Sequence, residues 1–185
     1  MDRVRAAFQA TPRADFLPAT QRHRAGEDLP VEIGLGMTNS QPRTVAAMLR
    51  LLAVRPGDRV LDVGAGSGWT TALLAHLTGA AGSVVGTEIE PALVAFGTLN
   101  LSRADRPWAS IQPAAEGTLG DPRRAPYDRI LVSAMARELP ADLVAQLGPG
   151  GILVVPVQGT MVRVRSGPGG PRISEHGAYR FVPLR

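Results

Sequence analysis

The chain contains no cysteine and no lysine. Without cysteine there can be no disulfide and no thiolate metal site. Without lysine, a P-loop nucleotide site and Schiff-base chemistry are both excluded. All 20 basic side chains are therefore arginine, set against 16 acids for a net charge of +4. The arginines are scattered, with only Arg123 and Arg124 adjacent, and aromatic residues make up 4% of the chain. That pattern reads as a solvated basic surface rather than a nucleic-acid patch. No apolar run is long enough to cross a bilayer. Met1-Asp2-Arg3-Val4-Arg5 lacks the apolar stretch of a secretory signal. A cytoplasmic protein is expected, with neither membrane nor nucleic-acid partner. His23, His76 and His176 lie far apart, so no metal site is expected and none of them stands out as catalytic.

The 185 residues, 44% hydrophobic and 19% charged, suit one domain with a sizeable core and are too few for two. Met1 to Gln9 reads as a helix ended by Thr11-Pro12. Ala14 to Gly36 carries charges, prolines and glycines and reads as short helix plus loop. Ser40 is a candidate helix N-cap, with Pro42 in the first turn and Val45, Met48, Leu49 and Leu52 at helical spacing. Strands are then expected at Arg59–Val63, Ser83–Glu88, Trp108–Gln112, Tyr127–Val132 and Ile152–Val157. Helices are expected between them at Thr70–Leu77, Pro91–Leu101 and Leu139–Leu147. Strands alternating with helices predict a doubly wound, mostly parallel α/β sheet of Rossmann-like type. Met161–Arg165 and Tyr179–Val182, around a Gly/Pro-rich turn, predict an antiparallel hairpin at the sheet edge. No repeat or linker divides the chain. One domain is expected, with an N-terminal segment (1–55), a core (56–158) and edge strands (159–185).

The sharpest local signal is Leu61-Asp62-Val63-Gly64-Ala65-Gly66-Ser67-Gly68-Trp69, a buried strand running into a glycine loop and then a helix. Glycine permits the sharp turn and a close approach of ligand to backbone. A dinucleotide fingerprint would place its third glycine at Trp69, so the pattern is G-x-G-x-G instead. That suits a cofactor without a pyrophosphate, such as S-adenosylmethionine. Glu88 ends the second strand, where a carboxylate accepts from ribose hydroxyls. Glu116 follows the third strand and is a candidate for the adenine edge. Asp62 has a second role open to it, accepting hydrogen bonds from the loop's own amides.

Longer stretches agree with one family. Arg13-Ala14-Asp15-Phe16-Leu17-Pro18 resembles its R-x-x-F-V/L-P. Glu27-Asp28-Leu29-Pro30-Val31-Glu32-Ile33-Gly34 resembles E-D-x-P-L-x-I-G. Gly36-Met37-Thr38-Asn39-Ser40-Gln41-Pro42 resembles G-Q-T-I-S-Q-P. Pro56 to Gly64, Ala125 to Ile130, Gln146 to Gly151 and Phe181 to Leu184 resemble its P-G-D-R-V-L-E-I-G, A-P-Y/F-D-R-I, Q-L-K-P-G-G and F-V-P-L. The chain thus resembles the protein-L-isoaspartate O-methyltransferases nearly end to end. The resemblance implies that S-adenosylmethionine is the cofactor and an isoaspartyl protein or peptide the substrate. It places Ser40 in the active site with Thr38 beside cofactor and substrate. It places Asp62, Gly64, Gly66, Gly68, Glu88, Glu116 and Gly117 at the cofactor. Ala65, Ser67 and Ile89, which neighbour these, complete the expected set; a monomer is expected. There are departures: Ala115-Glu116-Gly117 for the usual G-D-G, Asn39 for an isoleucine and Gly26 for a tyrosine.

The implied reaction methylates a carboxylate, which is ionised at neutral pH and needs no general base. In the family the ester is displaced by the neighbouring backbone nitrogen, and the succinimide hydrolyses partly to aspartate. Ser40 would orient the carboxylate, cap the helix, or both. Gly26 and Asn39 motivate an alternative, the same chemistry on a dedicated aspartate of a peptide natural product. A cofactor-binding sensor is a third reading, which retention of Thr38 and Ser40 disfavours. Nucleic-acid methylation is a fourth, and no Asn/Asp-Pro-Pro-Tyr-like motif supports it.

Overall fold

Arg59–Val63 (β3) is an interior strand of a seven-stranded sheet in the computed structural model, which describes residues 2–185. Four of its five side chains are buried, as a strand covered on both faces requires. Ser83–Glu88 (β4) and Ala109–Pro113 (β5) extend the sheet on one side, Tyr127–Val132 (β6) and Leu147–Val157 (β7) on the other, all parallel. Thr160–Arg165 (β8) and Arg172–Ala178 (β9) then continue it antiparallel, giving the order β5-β4-β3-β6-β7-β8-β9. The doubly wound, mostly parallel α/β sheet is as expected.

Arg3–Gln9 (α1), Pro42–Leu52 (α2) and Trp69–Thr78 (α3) cover one face. Val4, Met48, Leu49, Trp69, Leu73 and Val154 belong to the core cluster on that side. The first helix was expected from Met1, which lies outside the described residues. Ala141–Ala145 (α5) covers the other face, with Leu143 packed among Leu61, Ile130 and Leu153. Pro91–Ser102 (α4) links β4 to β5.

Three expectations change. Residues 14–36 hold two 3₁₀ turns (Arg13–Phe16 and Ala19–Arg24) and the first strand of a separate hairpin, Val31–Gly34 (β1) with Met37–Asn39 (β2). These strands are four and three residues long, too short to stand out from the surrounding loop in the sequence. The helix expected over Leu139–Leu147 is limited to α5, and β7 begins at Leu147. The glycines after Leu147 let two backbones meet: a Cβ on Gly151 would stand 3.0 Å from the Tyr127 carbonyl. The final strand is Arg172–Ala178, not Tyr179–Val182. Its side chains are nearly all exposed, so no burial pattern marks it. Tyr179 and Phe181 instead pack on the core, and Pro183 bridges to Met135.

Candidate active site

The carboxyl ends of β3, β4 and β6 meet at one end of the sheet, where ligands bind in open α/β folds. Gly64, Gly66 and Gly68 turn the chain there at φ of 80°, 53° and 86°. Each is a left-handed conformation costly to any residue with a Cβ. The loop is also pressed against α4: a Cβ on Gly97 would lie 2.6 Å from the Gly66 carbonyl oxygen. A cleft opens above the loop, lined by Gly64, Ala65, Gly66, Ser67, Ser133 and, from the N-terminal segment, Thr38, Asn39 and Ser40.

Glu88 holds the loop from the end of β4. Its Oε2 accepts the Gly66 amide at 2.8 Å. Its Oε1 accepts the amides of Ile89 at 2.8 Å and Glu90 at 3.0 Å. A carboxylate offers about four acceptor positions, so one remains for a ligand hydroxyl. Amide capping of the loop therefore falls to Glu88 and not to Asp62. Asp62 lies behind the loop, fully buried, with Oδ2 accepting the Thr71 hydroxyl at 2.7 Å and Oδ1 unpartnered. It does not line the cleft. Burial, only partly offset by the Thr71 hydrogen bond and reinforced by the Glu88 charge, pushes its pKa up to about 7. Ile89 is exposed on the same rim, as are Glu116 and Gly117 after β5. Gly68 is turned onto α4, with Gly97 as its closest neighbour.

The N-terminal segment is gathered together by Arg13, a buried side chain. Its guanidinium donates to the carbonyls of Glu27 (2.9 Å), Leu29 (2.8 Å), Asn39 (3.0 Å) and Ser40 (3.0 Å). Ser40 is not a helix cap. Gln41 occupies the N-cap position of α2 without a side-chain capping bond. Asp28 does that work from a distance, its Oδ1 accepting the Arg43 amide at 2.9 Å. That hydrogen bond also holds the Asp28 carboxyl below its ordinary pKa. Ser40 is half-buried and lines the cleft.

The whole of residues 1–185 matches the family model for protein-L-isoaspartate(D-aspartate) O-methyltransferase. The chain belongs to this family. Among its relatives, the protein-L-isoaspartate O-methyltransferase of Methanopyrus kandleri is 42% identical over 99% of this chain and 83% of its own. That of Pyrococcus horikoshii is 39% identical over 99% and 84%. A Plasmodium falciparum crystal structure described as such a methyltransferase in complex with S-adenosyl-L-homocysteine superposes with a TM-score of 0.85. It shares 28% identity over 100% of this chain and 91% of that one. The resemblance read from the motifs is thus correct at the level of the family.

Within this O-methyltransferase, the fold brings Thr38, Ser40, Gly64, Ala65, Gly66 and Ser67 to one cleft. Glu88, Ile89, Glu116 and Gly117 stand at the same end of the sheet, and Asp62 stands behind it. Sequence reasoning missed four participants. Ser133 follows β6, and nothing in its neighbourhood marks it. Asp28 and Arg13 carried a signal, since each sits inside a quoted family motif. Asn100, which donates to the Ser67 carbonyl at 3.0 Å, was hidden in an apolar helix.

Proposed function

We propose that the chain transfers a methyl group from S-adenosylmethionine to the free carboxylate of isoaspartyl residues in proteins or peptides, as a repair reaction. Family membership supports the activity. The observation that carries the site assignment is the cleft in which Thr38 and Ser40 face the Gly64–Ser67 loop at the carboxyl ends of the strands. The residues present fit the cofactor: a loop with little side-chain bulk, a carboxylate at Glu88 with acceptor capacity left, and an exposed apolar Ile89 beside it. Glu88 would accept from the ribose, Ile89 and the 116–117 turn would flank the adenine, and the loop from Gly64 to Ser67 would receive the amino-acid portion. When bound, this group supplies an electrophilic sulfonium methyl.

The protein's own part is to bind and align. The substrate carboxylate, with an ordinary pKa near 4, is already ionised at neutral pH. The Ser40 hydroxyl donates to one carboxylate oxygen and turns the other toward the methyl-bearing side of the cleft. Thr38, exposed on β2, borders the same path. Fixing two reactants in an in-line arrangement supplies about 7–11 kcal/mol of the barrier. No helix of the described residues is long and apolar enough to cross a membrane; a cytoplasmic location and a monomeric state belong to the same proposal. The test is methyl transfer to matched isoaspartyl and aspartyl peptides. Transfer to the isoaspartyl member of many unrelated pairs supports repair, whereas transfer to one aspartyl sequence alone would replace it with the dedicated-substrate reading.

A further inference from the structure

Asn39 sits between Thr38 and Ser40 at the cleft, and both polar ends of its side chain are taken up by protein partners. It is buried, with Oδ1 accepting from Arg13 Nε at 2.7 Å and Nδ2 donating to Ser67 Oγ at 3.0 Å. The orientation of the amide is forced, because arginine can only donate. Ser67 belongs to the glycine loop and is tied on its other side to α4 through Asn100. Arg13 in turn grips the carbonyls of Asn39 and Ser40 and stacks over Trp69, the first residue of α3, at 5.5 Å from the ring centroid. We propose that the Arg13–Asn39–Ser67 hydrogen-bond chain couples the cofactor loop to the Thr38–Ser40 segment, making Asn39 a positioning residue through which cofactor and isoaspartyl peptide bind cooperatively.

The physical ground is that a buried polar atom does not give up its partner cheaply. A displacement of Ser67 when the loop receives a ligand carries the Asn39 amide with it. Asn39 shares its backbone with the two residues that face the substrate. Arg13 holds that backbone as well, so the segment moves as a unit. Coupling of this kind is reciprocal: whatever the cofactor does for peptide affinity, the peptide does for cofactor affinity. The cooperative part rests on the isoaspartyl reading given above.

The test titrates S-adenosylhomocysteine calorimetrically, with and without saturating isoaspartyl peptide, into the full chain and its Asn39→Leu, Ser67→Ala and Asn39→Asp variants. Wild-type affinity should rise at least about five-fold with peptide present, the lower end of ordinary coupling. Asn39→Leu and Ser67→Ala should bring that factor close to one, and the double variant should lower it no further. Asn39→Asp should keep it, because a carboxylate accepts from both Arg13 and the Ser67 hydroxyl. A purely structural role would lower both affinities or the melting temperature and leave the factor unchanged. Should Asn39→Leu not fold, Ser67→Ala carries the test alone. Hydrogen exchange across residues 37–41, slowed by S-adenosylhomocysteine in wild type and not in the variants, supplies a readout that needs no peptide. A wild-type coupling factor retained by Ser67→Ala, or its absence in a protein that methylates isoaspartyl peptide, would overturn the inference and leave the function standing. Loss of methyl transfer to every isoaspartyl peptide with the exchange effect intact would do the reverse for the enzyme assignment.

Discussion

Three side chains at the head of the sheet divide the work among them, and each can be tested singly. Ser40 is relieved of capping by Asp28, so Ser40→Ala should leave the melting temperature nearly unchanged. One oriented hydrogen bond to a charged group is worth about 1.5–3 kcal/mol, so turnover should fall roughly ten- to hundred-fold, with cofactor affinity little altered. A variant that melts early and turns over normally would return Ser40 to a capping role. Glu88 both pins the loop and presents an acceptor, so Glu88→Ala should lower stability and weaken S-adenosylhomocysteine binding together, the latter by about ten-fold or more. Calorimetry and a melting curve on one preparation check both.

Asp62 makes a prediction about pH. Its pKa rises from an ordinary 3.8 to about 7 on folding. Between those values the folded protein keeps a proton that the unfolded chain has lost. Stability from this group is therefore full below the lower value, declines as pH rises toward about 7, and is level above it. Asp62→Asn cannot titrate, so its urea midpoint should fall less than the wild-type midpoint across that interval. Parallel pH profiles for the two proteins would show that Asp62 is ionised in the fold.

Among the elements, the contact of α4 with the glycine loop is the tightest at the site. Gly97→Ala would drive a methyl group against the Gly66 carbonyl, at 2.6 Å before any relaxation. Overpacking of this order costs about 1–3 kcal/mol. The variant should unfold at lower denaturant and bind S-adenosylhomocysteine more weakly, because the loop must shift to make room. Unaltered binding would mean that the loop's position on α4 is of no consequence to the cofactor. The elements nearest this contact were also the most legible. Strand, glycine loop, helix and strand-end acid follow one another from Val60 to Glu88, and local spacing alone places them. The β1–β2 hairpin was not legible, since its strands are four and three residues long and its turn includes a leucine at φ 56°. The Ser40 assignment as a cap failed for a related reason: the true acceptor, Asp28, is near in space and distant along the chain. The partners of Asn39 were not legible either, because sequence does not show which way a side chain points.

Taken whole, the molecule lays its N-terminal segment over a mostly parallel sheet: Val4, Met48 and Leu49 seat it in the core, and polar ties join it to the cofactor end, Asn39 to Ser67 and the Trp69 indole to the Thr11 carbonyl at 3.1 Å. The core clusters on both faces of the sheet hold the strands in register. The strands thus stay fixed beneath the glycine loop and the segment laid across it. The measurement that bears most directly on this account follows transfer of a labelled methyl group from S-adenosylmethionine to matched peptides differing only in an isoaspartyl or aspartyl linkage. The account predicts base-labile methyl incorporation into the isoaspartyl member of each pair, across unrelated sequences, and none above background into the aspartyl member. Equal labelling of both linkages, or labelling of neither by folded protein that binds S-adenosylhomocysteine, would contradict it.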